Sequence, residues 1–239
     1  MKGFKVIYFR KYVASIIIVL TIAFVGAVAF LGGGGDVLTS SNIVRGVYYS
    51  GDQDGKNVSL MINVYWGDEY VEQMLDILKE TDTKATFFLG GTWAFKNEKL
   101  VLRMVEEGHE LANHGYSHKD CKTLSQKQVE EEIAKTHEVV KAFTGVDMKL
   151  FMPPSGAYNE GTVEGAKALG YKTIMWSEDT IDWRDKNTDL IIERATKNAS
   201  GGDLILMHPT KETKEALKSI VDFYKNSEFS LTTVSKNIN

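Results

Sequence analysis

The sequence predicts an α/β domain in which parallel strands are covered by helices. Short apolar segments bounded by turn residues alternate with longer segments whose apolar residues recur at helical spacing. Strands that are apolar along their whole length are typical of parallel sheets buried on both faces. The composition, 43% apolar and 25% charged, is that of a globular domain with a sizeable core. An open doubly wound sheet and a closed barrel both remain possible at this stage.

The predicted strands are apolar runs of strand length, such as VSLMINV at 58–64 and DLILM at 203–207. In chain order they are 43–49, 58–64, 84–89, 109–113, 148–152, 172–176, 203–207 and 230–235. If these strands are parallel, their carboxyl ends lie at one edge of the sheet, where α/β proteins place their functional residues.

The predicted helices lie between most of these strands. They are 68–81, 93–107, 125–143, 160–169, 188–198 and 211–226. In the first, Val71, Met74 and Leu78 recur at the spacing of one helix face. The third begins with Ser125-x-x-Gln128, the pattern of a capping box.

The first 32 residues differ from the rest of the chain. Four basic residues precede the uncharged segment 12–32, which as a helix would span roughly 30 Å of hydrocarbon. We expect 1–11 to be a cytoplasmic basic segment, 12–32 a single-pass transmembrane anchor and 33–42 a Gly-rich linker. The domain that follows, 43–239, is then extracytoplasmic. The alternatives for 12–32 are a cleaved signal peptide, for which Ala27-Val28-Ala29 offers a cleavage-like site, and a buried core helix.

Charge and cysteine content exclude two classes of protein. Beyond residue 32 the chain carries 24 Lys and Arg against 32 Asp and Glu, a formal charge of −8. A basic nucleic-acid-binding surface is therefore not expected. Cys121 is the only cysteine, so an intramolecular disulfide is impossible and the domain must rely on its core.

Polar residues follow several of the predicted strands. The strand-end groups are Asn63-Val64, His114 to His118, Met152 to Gly156, Asp179 to Trp183, and His208. Two histidines four residues apart are able to share a metal ion if the segment forms a turn, or they are simply polar loop residues. A histidine that closes an apolar strand is in other proteins often a hydrogen-bonded core residue, and an acid beside a tryptophan is often a cap. Taken singly, each group leaves its function open.

Their order along the chain is more informative. The series H-x-x-S-H (114–118), P-P-x-G (153–156), D-x-x-D-W (179–183) and L-M-H (206–208) resembles the polysaccharide deacetylase family, also called the NodB-homology family or carbohydrate esterase family 4. The resemblance covers residues 57–239. Trp66-Gly67-Asp68-Glu69 is similar to the W-G-x-E sequence of its membrane-anchored sporulation (PdaB-like) branch.

The resemblance implies a distorted (β/α) barrel that removes acetyl groups from chitin-like or peptidoglycan sugars with a bound divalent metal, commonly zinc. By the same resemblance, His114 and His118 would be metal ligands. His208 would be the general acid for the leaving amine and Asp182 would orient it. Such a metal lowers the pKa of bound water to about 7, and an imidazole suits proton donation near neutrality.

Three further residues would contact the substrate. The resemblance assigns the backbone N–H of Ser155 to the oxyanion, and Trp183 and Leu206 to an apolar wall beside the acetyl methyl or the sugar face. Aromatic faces suit the apolar side of a sugar ring.

The first motif of the family, T-F-D-D, departs from its pattern here. Ungapped counting from the next strand places Met61-Ile62-Asn63-Val64 on it, so Asn63 replaces the catalytic base and Val64 replaces the third metal ligand. Met152 falls where the family has an arginine that holds the base. An amide is no useful base and valine coordinates no ion. The three changes are consistent with one another, because an arginine without its carboxylate would be an unpaired buried charge.

Two neighbouring acids are candidates to replace the missing base or metal ligand. Asp68 or Glu69 would have to turn into the site as a substitute ligand or base. Both also stand at the start of a predicted helix, where the helix dipole favours acids.

Three functions are consistent with these residues. The first is a membrane-anchored deacetylase of peptidoglycan or spore-cortex glycan. The second is a pseudoenzyme that binds cell-wall glycan or a partner without turnover, and the third is a structural spore-envelope protein without a ligand.

Overall fold

The structure, a computed structural model, describes residues 46–239. Its strands are β1 (Val47–Tyr48), β2 (Asn57–Val64), β3 (Thr86–Leu89), β4 (Glu110–Asn113), β5 (Leu150–Phe151), β6 (Lys172–Ile174), β7 (Glu178–Asp179), β8 (Leu204–Met207) and β9 (Ser230–Leu231). Its helices are α1 (Asp68–Glu80), α2 (Gly91–Lys96), α3 (Glu98–Glu106), α4 (Gln126–Thr144), α5 (Glu160–Ala168), α6 (Thr188–Thr196), α7 (Lys211–Lys225) and α8 (Val234–Asn237).

The strands form one curled parallel sheet. Its order is β1-β6-β5-β4-β3-β2-β8-β7, and β9 pairs with the first residues of β2. Every pairing in this part of the chain is parallel. Between residues 46 and 239, no hydrogen-bonded pair joins the edge strands β1 and β7, so the sheet is a half-barrel rather than the closed barrel or flat open sheet left as alternatives.

Alternate residues of the central strands face two apolar clusters. On β2, Leu60, Ile62 and Val64 belong to the larger cluster, which packs the convex face of the sheet against the helices. Met61 belongs to a smaller cluster on the concave face, which Val234 of α8 also enters. This alternation is the ordinary period of two of a β-strand, and it decides which residues can reach a site at the strand ends.

Most predicted elements are present, with two corrections. The helix predicted over 93–107 is two helices separated at Asn97, whose side-chain amide donates to the Trp93 carbonyl at 3.1 Å. The strand predicted over 230–235 ends at Leu231, and 234–237 is helical. The Val234 N–H donates to Thr86 Oγ1 at 2.9 Å, which turns the chain under the sheet. The two-residue strand β7 was not predicted, because so short an edge strand carries no periodic signal.

Two other sequence predictions concern the start of α4 and the N-terminal segments. The capping box of Ser125 and Gln128 is present at the start of α4 and confirms that prediction. The predicted basic segment, anchor and linker lie outside the described residues. Within residues 46–239, no helix is long and apolar enough to cross a membrane.

The strand register selects the residues that point into the site. Met61, Ala112 and Leu206 are the last apolar residues of their strands in the concave-face cluster. Two positions further along the chain come Asn63, His114 and His208. With a period of two, these side chains continue the concave face at the carboxyl edge of the sheet.

Candidate active site

A cleft of about 360 Å³ opens at the carboxyl edge of the sheet. All of the site residues predicted from the sequence line it, except Asp182. The lining residues are Asn63, Trp66, His114, His118, Ser155, Gly156, Trp176, Asp179, Trp183, Leu206 and His208. The strand-end groups that are scattered along the chain therefore meet in one place.

His208 is held by a buried carboxylate directly behind it. Asp182 Oδ1 lies 2.8 Å from His208 Nδ1, and Asp182 Oδ2 accepts the His208 backbone N–H at 2.5 Å and the Thr213 hydroxyl at 2.6 Å. An ionised carboxylate can only accept hydrogen bonds. The proton shared with Asp182 Oδ1 is therefore on the His208 Nδ1 atom. The other ring nitrogen of His208, Nε2, is therefore free to interact with a ligand in the cleft. This pairing orients the imidazole as an acid–base group requires, and Asp182 itself is buried.

His114 and His118 lie side by side, with ring centroids 5.1 Å apart. His114 Nδ1 donates to the Met152 carbonyl at 2.8 Å, which leaves Nε2 as the free acceptor. Burial, with the nearby His118, lowers the pKa of His114 to about 3, although the Met152 carbonyl opposes this shift. Burial also lowers the pKa of His118. Both rings are therefore neutral near pH 7 and offer lone pairs.

The loop that carries these histidines is fixed by Glu132 of α4. The Glu132 Oε2 atom accepts the backbone N–H groups of Tyr116 at 3.0 Å and Ser117 at 2.6 Å, and Oε1 pairs with Lys119 at 2.9 Å. Burial raises the pKa of Glu132, but Lys119 and the two N–H groups outweigh it and leave the pKa below its usual value. Sequence reasoning missed this residue, since nothing marks it among the neighbouring acids of a helix.

The contribution of Glu132 to stability is expected to depend on pH. Its folded-state pKa is below the unfolded value of about 4.3, so its stabilisation is fully present above that value and is lost as the pH falls through the folded pKa. Glu132→Gln should therefore lower the free energy of unfolding by about 1–3 kcal/mol at pH 7 and by less at pH 3. Urea unfolding of both proteins at both pH values measures this, with exposed Glu131→Gln as the control. A difference between wild type and variant that does not change with pH would contradict it.

Backbone strain is concentrated around the cleft. Within residues 46–239, the non-glycine residues with positive φ are Asp82, His118, Ser155 and Ile181. His118 and Ser155 line the cleft, and Ile181 immediately precedes Asp182. Left-handed conformations cost such residues about 1–3 kcal/mol and persist where surrounding contacts hold them, as they commonly do at functional sites.

The last two residues of β2, Asn63 and Val64, do not supply the carboxylates of a metal site. Asn63 is 5% exposed, and its amide nitrogen donates to the Met152 sulfur at 3.0 Å. In the part of the chain that the structure describes, its Oδ1 atom has no hydrogen-bond partner. Val64 is fully buried in the convex-face cluster and does not line the cleft. The predicted coupling of positions 63 and 152 is thus a direct contact.

These donors do not fit the catalytic zinc ion that the family implies. Such sites normally supply three protein ligands. Here the candidate ligands are the imidazoles of His114 and His118, and β2 adds the amide of Asn63 and no carboxylate. Over residues 46–239, no group of three or more His, Cys, Asp or Glu is placed to hold a metal ion. The remaining carboxylate of the cleft, Asp179, accepts the Ile181 N–H at 2.8 Å.

Asp68 and Glu69, the acids considered as substitutes for the missing base or metal ligand, lie outside the cleft. Asp68 Oδ1 accepts the indole N–H of Trp93 at 2.5 Å. Asp68 and Glu69 both line a neighbouring groove and not the cleft. They form the first turn of α1, where the helix dipole favours acids.

The apolar wall of the cleft is more aromatic than the sequence suggested. Trp183 is 55% exposed and Leu206 is buried, and both line the cleft. Trp66 and Trp176 also line it. The Trp66 ring lies parallel to His208, with centroids 6.3 Å apart. Trp66 belonged to a motif used only for the family resemblance. Trp176 ends the strand predicted over 172–176 but was not singled out as a site residue.

Comparison with known proteins finds similarity to polysaccharide deacetylases. Residues 50–174 match the family model described as polysaccharide deacetylase. The chain is 38% identical over 188 residues to the uncharacterised YlxY protein of Bacillus subtilis, covering 79% of this chain and 59% of YlxY. It is 32% identical over 173 residues to a peptidoglycan-N-acetylglucosamine deacetylase of Bacillus cereus, covering 70% of this chain and 81% of that protein.

A solved structure is similar over most of the chain. It is wild-type BA3943 of Bacillus anthracis, a pseudoenzyme of the CE4 family, with 36% identity and a TM-score of 0.78 over 81% of this chain and 69% of that one. A BA3943 mutant with restored enzymatic activity is equally similar, with 35% identity and a TM-score of 0.78 over 81% of this chain and 71% of the mutant. The curled parallel sheet, the cleft at its carboxyl edge and these matches together show that the chain belongs to the polysaccharide deacetylase family.

Proposed function

We propose that this chain is a glycan-binding member of the family that does not carry out the metal-dependent deacetylation. The observation that carries this proposal is the end of β2. Asn63 occupies the position of the base, and Val64, at the position of the third ligand, packs on the opposite face of the sheet. The similarity to the pseudoenzyme BA3943 supports the same conclusion.

The cleft retains what binding needs. Exposed Trp66 and Trp183 offer flat apolar faces, and His208 and Asn63 offer polar groups between them. Sugars have an apolar ring face and a polar rim, so they suit a cleft of this composition. The peptidoglycan deacetylase among the relatives makes N-acetylated cell-wall glycan the proposed ligand.

The test is a binding and turnover experiment on the full-length chain. We expect an N-acetylglucosamine tetramer to bind with the same Kd in the presence and absence of a chelator. We expect no acetate release with added Zn²⁺ or Co²⁺. Release of acetate at a rate that depends on His208 would overturn the proposal, and so would binding that is lost on chelation.

Trp183→Ala should weaken glycan binding at least tenfold, or about 1.4 kcal/mol. The exposed indole would stack on a sugar, and its removal leaves the buried core unchanged. Isothermal titration with the tetramer measures the effect, and unfolding in urea checks the fold. Phe223→Ala removes an exposed aromatic ring that does not line the cleft and is the matched control. An unchanged Kd for Trp183→Ala would count against the cleft as the binding site, and absence of binding by the wild type would favour a structural protein without a ligand.

A second candidate is a working deacetylase of peptidoglycan or spore-cortex glycan. The specific observation in its favour is the intact pair of His208 and Asp182, which orients the imidazole as a general acid requires. This candidate predicts acetate release from acetylated peptidoglycan and its loss in His208→Ala.

We also propose that residues 12–32 anchor the chain in the membrane, with the N-terminus cytoplasmic and the domain outside, as in the sporulation branch. The uncharged segment and the basic residues before it support this topology. Protease added to intact cells should then digest the domain while the N-terminal residues remain protected. A domain protected in intact cells would contradict it.

A further inference from the structure

The polar side chains at the strand ends of the cleft offer acceptors where a metal-dependent deacetylase has a cation. Asn63 and His114 follow β2 and β4, and Asp179 adds a carboxylate from β7. Among residues 46–239, no lysine or arginine lines the cleft. The chain beyond residue 32 also carries a formal charge of −8, from 24 basic and 32 acidic residues. Charge and hydrogen-bond capacity therefore both favour a ligand group that is cationic and rich in donors.

Asn63 presents an acceptor without a partner. Its Nδ2 atom donates to the Met152 sulfur at 3.0 Å, and because a thioether can only accept, this contact turns the Asn63 oxygen away from Met152. Asn63 is 5% exposed, and within the described part of the chain its Oδ1 atom accepts no hydrogen bond. A buried acceptor in this state destabilises the free protein, so a donor supplied by a ligand would be favourable.

His114 supplies a second acceptor next to Asn63. Its Nδ1 atom donates to the Met152 carbonyl at 2.8 Å, so its Nε2 atom carries the lone pair. Asn63 and His114 thus contact the same residue from two strands and are neighbours in the cleft. The His118 ring, with its centroid 5.1 Å from that of His114, adds a further imidazole on the same side.

An acetamido group does not suit this set of acceptors. Its carbonyl oxygen is itself an acceptor, and in a metal-dependent site a cation polarises it. The donors of this cleft do not fit such an ion, so the acetyl oxygen would meet the lone pairs of Asn63 and His114 directly. A protonated primary amine instead carries a positive charge and three N–H donors, which match Asn63 Oδ1, His114 Nε2 and the Asp179 carboxylate.

We propose that the cleft selects a glycan in which the sugar at Asn63 carries a free, protonated amine in place of its acetamido group. The inference rests on the proposed function and names its ligand more closely, since the remaining sugars stay N-acetylated. A free amine on such a glycan is the product of N-deacetylation. An active deacetylase must therefore act on the glycan first, and this chain then recognises the product.

The test compares two tetramers on the full-length chain in the presence of a chelator. One is the N-acetylglucosamine tetramer, and the other carries a free amine on one inner sugar. High salt screens the general attraction of a cationic ligand to an acidic surface. We expect the tetramer with the amine to bind at least tenfold more tightly. In Asn63→Leu, which removes the acceptor, the ratio of the two Kd values should fall below threefold. Glu131→Gln, which removes an exposed acid outside the cleft, is the control and should keep the ratio of the wild type.

A second measurement does not depend on the variants. A tetramer whose amine carries three methyl groups keeps the positive charge and has no N–H to donate, so we expect it to bind no more tightly than the N-acetylated tetramer. Equal affinity for the acetylated tetramer and the tetramer with the free amine overturns the inference and leaves the proposed function standing. Binding of the trimethylated tetramer as tightly as the free amine also overturns it, because charge alone would then suffice. Absence of binding by all three overturns the inference and the proposed function together.

Discussion

Asp182→Ala is expected to lower the free energy of unfolding by about 3–5 kcal/mol. The Asp182 side chain is fully buried and accepts three hydrogen bonds, two from His208 and one from Thr213. Its removal leaves these donors without a partner inside the protein, and an unsatisfied buried donor costs about 1–3 kcal/mol. Denaturant unfolding monitored by tryptophan fluorescence measures the loss.

Asp182→Asn separates the structural and chemical roles of this carboxylate. The amide keeps the shape and one acceptor, so we expect a smaller loss of stability than in the alanine variant. Its NH₂ group would face His208 Nδ1 and favour the tautomer protonated at Nε2, which nitrogen NMR of the imidazole detects. Asp54→Asn, an exposed position, is the control. A stable Asp182→Ala protein would show that the buried hydrogen bonds contribute little.

The second large effect is expected at the end of β2. Val64→Asp alone should destabilise the protein by about 3–5 kcal/mol, because it places a carboxylate in the convex-face apolar cluster without a partner. The triple variant Asn63→Asp, Val64→Asp, Met152→Arg restores the family's base, ligand and arginine together. In the triple variant the arginine offers the carboxylate at position 63 a partner. The carboxylate at position 64 gains a partner only if it leaves the convex-face cluster and turns into the cleft, where it would join His114 and His118 as the third ligand of a zinc ion.

Zinc should therefore stabilise the triple variant and not the wild type. A ligand present at 100 times its Kd adds about 2.7 kcal/mol to the stability of the state that binds it. Thermal unfolding with and without Zn²⁺ detects this as a shift in Tm, and metal analysis after dialysis gives the occupancy. Wild-type protein that holds one zinc ion per chain after dialysis would show that two imidazoles suffice here. Acetate release by the triple variant would further show that the substitutions at these positions had silenced the enzyme.

Much of this architecture could be predicted from the chain. The buried strands β2, β3 and β8 were identified because apolar runs of strand length that lie between helical patterns are typical of the central strands of a parallel sheet. The site was predicted because parallel strands bring their carboxyl ends to one edge, which places His114 and His208 together although they are far apart in sequence.

The parts that could not be predicted depend on contacts between distant segments. The helix around Val234 forms where an extended pattern was expected, because Thr86 accepts the Val234 N–H beneath the sheet. Glu132 fixes the histidine loop through backbone N–H groups, and its neighbours in the sequence give no sign of that role.

The sequence by itself determined the family and the chemical identity of the altered positions, since Asn63, Val64 and Met152 can be identified without coordinates. Only the tertiary structure decided where these side chains point. Because side chains alternate along β2, Asn63 faces the cleft and contacts Met152, while Val64 faces the helices. The physical reason is that burial against α-helices suits valine, whereas a carboxylate there would lack any partner to offset its desolvation.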